Sequence, residues 1–201
     1  EPSWRKDVAI HGHGTEMAGL ALYQDLQAAI STQHGVRLEH RLESVKLLPD
    51  TGSNDPDVYG AMTARAVDQA EISARDRARV FMLAITAPAA VPNPGHRVED
   101  RPMQESGRPT AWSATIDALA YGRVIDDSVP KFTYLHRDEE PTPRLFVLSA
   151  GNIRDVRAED DHLDRSDAES VEDPAQAWNA LVVGAYAEHD AMDHAPDVFA
   201  G

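Results

Sequence analysis

Two short stretches carry the residue types from which a hydrolytic site can be built. His11-Gly12-His13-Gly14-Thr15-Glu16-Met17-Ala18-Gly19 runs straight into Leu20-Ala21-Leu22-Tyr23, so a histidine stands where a loop gives way to a helix. Such a loop exposes the imidazole while the helix holds it rigid. Near neutral pH an imidazole both takes and returns a proton, which is what amide hydrolysis asks of its base. The second stretch, Leu145-Phe146-Val147-Leu148-Ser149-Ala150-Gly151-Asn152, is an apolar run that stops on small and polar residues. A buried parallel strand that delivers a side chain to a site has this pattern. An amide side chain at such a strand end is able to donate to a developing oxyanion. On residue type alone, His13 could also be a surface histidine and Asn152 a turn residue. The His11-x-His13 pair could hold a metal, but no third ligand stands at motif spacing, and no metal is expected.

The elements that must position these residues follow from periodicity. Apolar positions Met17, Leu20, Leu22, Leu26 and Ile30 predict a largely buried helix from Thr15 to about Ser31. Alternation ending at Pro49 predicts a strand near Ser44 to Leu48, and Pro49 to Pro56 is dense in turn formers. An amphipathic helix is expected over Val58 to Ala74, with Asp57 near its start. Val80 to Ile85 reads as a buried strand, Thr110 to about Ile125 as a helix, Arg144 to Ala150 as the next strand and Trp178 to Ala185 as another. The five prolines of Pro88 to Pro109 and the polar stretch Asp126 to Pro143 predict irregular connections. Nine carboxylates against Arg157 and Arg165 make Asp155 to Asp173 an expected solvated loop. That block could also draw basic substrate residues or bind calcium, although it shows no fixed ligand spacing. Strands alternating with helices across long connections predict an α/β fold, a doubly wound parallel sheet with helices on both faces, in a single domain over residues 1–201. A site in such a sheet lies beyond the carboxyl ends of the strands.

Taken together, the His13-Gly14-Thr15 and Ala150-Gly151-Asn152 motifs resemble the subtilisin-like serine peptidases. The resemblance implies that His13 is the general base of an Asp/His/Ser triad and Asn152 an oxyanion-hole donor. It places a peptide or protein substrate along Ala84, Ile85 and Thr86, with Ser149, Ala150 and Gly151 as the opposite wall. Most relatives carry a serine and paired glycines after the first of these strands, whereas this chain has Ala84-Ile85-Thr86-Ala87. No Gly-Thr-Ser triplet occurs, and no apolar strand ending in aspartate precedes His13. The expectation is therefore the central part of a catalytic domain, supplying base and oxyanion amide without nucleophile or acid, and inactive by itself. A subtilase-like interaction module without catalysis is the alternative. Gly107 to Ala114 and Asp173 to Leu181 further resemble a bacterial subset of subtilases associated with an AAA-type ATPase, which makes such an ATPase an implied partner.

Composition narrows the remaining classes. With 19 Lys and Arg against 34 Asp and Glu, the formal charge of −15 repels phosphate backbones and anionic lipid surfaces, so neither nucleic acid nor membrane is an expected partner. The absence of cysteine removes disulfides, thiolate nucleophiles and Cys-bound zinc, and no cofactor is expected. No apolar run approaches the roughly 20 residues that cross a bilayer. A soluble, cytoplasmic protein is expected, with secretion as the alternative that the resemblance keeps open.

Overall fold

A computed structural model describes residues 12–32, 35–49, 54–87, 108–123, 143–153 and 160–185. His11, the Pro88 to Gly107 stretch and most of Asp126 to Pro143 lie outside the described residues. Three of the predicted apolar runs become strands, β1 (Val80–Leu83), β2 (Leu145–Ser149) and β3 (Leu181–Val183). They form one parallel sheet in the order β1-β2-β3, with Phe81 opposite Phe146, Leu83 opposite Leu148, and Leu148 opposite Val182. Because side chains alternate along a strand, this register collects Phe81, Leu83, Phe146, Leu148 and Val182 on one face. There they meet two helices, α3 (Tyr59–Ser73) and α4 (Ala111–Ala120), whose Ala64, Val67, Trp112, Ile116 and Leu119 complete the core. Phe146, fully buried, stacks on Phe81 at 5.2 Å between ring centroids. The result is a parallel α/β sheet flanked by helices, as the alternating pattern predicts.

Local chemistry starts both packed helices where sequence places them. Thr110 accepts from Ser113 N–H at 3.0 Å while Ser113 Oγ accepts from Thr110 N–H at 2.7 Å, a reciprocal cap on α4. A single 3-10 turn, Pro56–Val58, leads into α3, with Asp55 accepting from Asp57 N–H at 3.0 Å. Between the helices, Trp112 Nε1–H donates to Thr63 Oγ1 at 2.8 Å, which satisfies an indole that would otherwise be buried without a partner.

Three expectations are corrected. The first helix is two pieces, α1 (His13–Tyr23) and α2 (Leu26–Ser31), neither containing a buried residue. Asp25 accepts from Ala28 N–H at 2.9 Å and so caps a new helix where the old one would continue; Gln24, at φ 59°, makes the break. Residues 44–48 are irregular rather than a strand. Their segment is held by side chains, with Glu43 paired to Arg77 and Arg79 and Asn54 donating to Leu47 O at 2.9 Å, and without ladder bonds alternation alone makes no strand. The acidic block contains α5 (His162–Ala168), capped by Asp161, and its last residue Asp173 is buried, so it is not a solvated loop throughout.

Candidate active site

Gly12, at φ 66°, turns the chain into α1, so that His13 is the first helical residue and its side chain is exposed. The ring does not swing freely. Its Nε2 lies 3.1 Å from the carbonyl oxygen of Ala84, the residue directly after β1. With Nε2–H donating there, Nδ1 carries the ring's lone pair. The helix start thus docks its imidazole on the carboxyl end of a strand 71 residues away in sequence.

The neighbouring strand ends the same way. Beyond β2, Ala150 N–H donates to Val183 O at 2.9 Å, and Gly151 turns the chain at φ 108°, a conformation that side-chain-bearing residues rarely adopt. Asn152 follows, exposed. Since β1 and β2 are adjacent and parallel, Ala84 with its bound imidazole and Asn152 stand at the same end of the sheet. Ala84, Ile85 and Thr86 follow β1, while Ser149 closes β2 and Ala150 and Gly151 follow it, all of them half-buried.

A segment that sequence reasoning did not single out joins these two walls. Glu172 N–H donates to Ala150 O at 2.9 Å, and Ala87 N–H donates to Asp173 O at 2.8 Å in an antiparallel bridge. The Glu172 carboxylate accepts from the Thr86 hydroxyl, while its aliphatic part packs on Gly151 so closely that a β-carbon there would lie 2.5 Å from Cγ. Asp173 Oδ1 accepts from Thr110 Oγ1 at 2.5 Å. Burial pushes the Asp173 carboxyl above the usual aspartate range, and the Thr110 hydrogen bond pulls against it. A signal existed in Asp173-Pro174, because aspartate and proline are turn formers, and Ala175 N–H donates to Glu172 O at 2.8 Å across them.

Among the described residues no three histidines or carboxylates gather as metal ligands, and no helix is long and apolar enough to cross a membrane. A sequence model of the subtilase family, peptidase family S8, matches residues 2–196. The chain belongs to the subtilase family. This subtilase is therefore a serine peptidase-like protein, and its parallel sheet agrees with that fold. No curated protein and no solved structure matches it.

Proposed function

We propose that this subtilase is the base-and-oxyanion half of a serine endopeptidase site, with His13 as general base and Asn152 as oxyanion donor. The observation that carries the reading is the shared position of the two groups: an exposed imidazole bound to Ala84 past β1, and an exposed amide past β2, at one end of a parallel pair. In the proposed reaction the imidazole takes the proton of a serine hydroxyl as its oxygen attacks the scissile carbonyl. Asn152 Nδ2–H donates to the resulting oxyanion, and the imidazolium returns the proton to the leaving nitrogen. The substrate backbone adds as a strand along residues 84–86. The serine and the acid are contributed by sequence other than the two motifs here; with Nδ1 as the base, the acid orients the ring through Nε2–H and takes the place of Ala84 O.

Labelling of the full-length protein with a serine-reactive fluorophosphonate tests this. Labelling is expected in the parent, and loss of labelling in His13→Ala, because the hydroxyl is then not activated. Asn152→Ala should lower kcat by about a hundredfold or more with KM little changed, a magnitude taken from subtilisin itself, the family's namesake, rather than from this geometry. An unlabelled parent, or a His13→Ala variant as active as the parent, would sink the reading.

A further inference from the structure

We infer that His40 is a positioning residue for His13: it ties down the far end of the helix whose first residue is that imidazole. The tether itself is independent of the peptidase reading, while its effect on turnover rests on that reading. Helix α1 contains no buried residue, so its seat depends on the hydrogen bonds at its ends more than on apolar packing. At its start, His13 Nε2 lies 3.1 Å from Ala84 O, directly after β1. In its last turn, His40 Nε2–H donates to Ala21 O at 2.5 Å. Carbonyls of a last turn have no donor within their own helix, and the imidazole supplies one from 19 residues away. His40 is anchored in its turn. Three residues on, Glu43 accepts from Arg79 Nε–H at 2.6 Å and pairs with Arg77 as well. Arg79, its side chain only 10% exposed, donates to Ala70 O at 3.0 Å and Ala74 O at 2.6 Å, closing the end of α3. Arg79 directly precedes β1, and Ala84 directly follows it. Helix α1 is therefore strung between the two ends of one strand, by His13 at the carboxyl end and by His40, Glu43 and Arg79 toward the other. The dimensions agree. From His13 to Ala21 a helix rises about 12 Å, from Arg79 to Ala84 a strand advances about 16 Å, and the step from His40 to Glu43 spans up to about 10 Å. Releasing one end of so short a helix moves the imidazole at the other, and a misplacement of about 1 Å can cost about a hundredfold in rate.

The test compares His40→Ala, His40→Gln and Glu39→Gln in the full-length protein. Hydrogen exchange read by mass spectrometry should show the α1 amides of His40→Ala exchanging roughly three- to tenfold faster, the change that one hydrogen bond implies. The value of kcat should fall roughly tenfold with KM unchanged, because the placement of the base is altered and the substrate walls are not. His40→Gln keeps an N–H donor at similar reach and should recover most of both losses. Glu39→Gln, at an exposed neighbour, should alter neither. A general folding defect would quicken exchange in α3 and α4 as well, so the change in α1 relative to those helices is the readout. Unchanged exchange in α1, or faster exchange with kcat intact, overturns the inference while the peptidase reading stands. Should the parent neither cleave peptides nor label, modification of His13 by diethyl pyrocarbonate, located by tandem mass spectrometry, decides the matter. Faster modification in His40→Ala, reversed in His40→Gln, supports the positioning role and removes the peptidase reading, and equal rates overturn the inference.

Discussion

Asp173 shows how one side chain trades stability for position. Only 2% exposed, it accepts the Thr110 hydroxyl, and its backbone carbonyl receives Ala87 N–H, so it fastens the start of α4 to the end of β1. Its carboxyl is raised above the ordinary 3.8, burial being the larger cause and the Thr110 hydrogen bond the opposing one. An acid with a raised folded pKa adds relative stability where it is protonated, and that contribution disappears as pH climbs through the folded value. At neutral pH the fold therefore holds a buried anion at a cost. Asp173→Asn keeps an acceptor for Thr110 without the charge, and thermal unfolding at pH 7 should show a higher Tm than the parent. The difference should close as pH falls below about 3.8, where both folded and unfolded parent are protonated. A lower Tm for the variant at pH 7 would show that the charge itself stabilises.

At the scale of elements, Arg144 is the clamp. It precedes β2, and its guanidinium forks onto both oxygens of Glu71 at the end of α3 (2.6 and 2.9 Å) while donating to Leu119 O at 2.9 Å near the end of α4. Two helices and a strand thus meet in one planar group, a geometry that lysine cannot reproduce. Arg144→Lys should destabilise by about 1–2 kcal/mol in a denaturant titration, the figure reduced because Glu71 is partly exposed to solvent. Elements of this kind were visible in sequence to unequal degrees. β1 and β2 were legible because continuous apolar runs bounded by turn formers are what a buried parallel strand requires, and α4 because Trp112, Ile116, Leu119 and Ala120 recur at helical spacing behind Thr110. Residues 44–48 were not, since alternation states which faces would be apolar but supplies no ladder partner. His13 and Asn152 were picked out by the resemblance of the His13-Gly14-Thr15 and Ala150-Gly151-Asn152 motifs to those of the subtilases. Glu172 was hidden among nine similar carboxylates, because what distinguishes it is a hydrogen bond to Ala150.

At the scale of the molecule, the core of the described residues lies on one face of the sheet. Phe146, Ile116 and Leu119 are fully buried where α3 and α4 meet the sheet, whereas the opposite strand positions Val80, Met82, Leu145, Leu181 and Val183 are exposed among the described residues. Stability should concentrate on the covered face. Phe146→Ala should cost roughly 3–5 kcal/mol by chemical denaturation, and Val80→Ala well under half as much; equal losses would contradict a one-sided core. The carboxyl end of the sheet hangs from this rigid half, which keeps the two walls at a fixed separation. Position 151 cannot be used to reshape what lies between them, because its backbone angle of 108° demands glycine whatever room is made nearby. Any retuning of the crevice, by natural drift or by an engineer's library, falls to the side chains along residues 84–86 and at 149, 150 and 172: several variable dials beside one locked one.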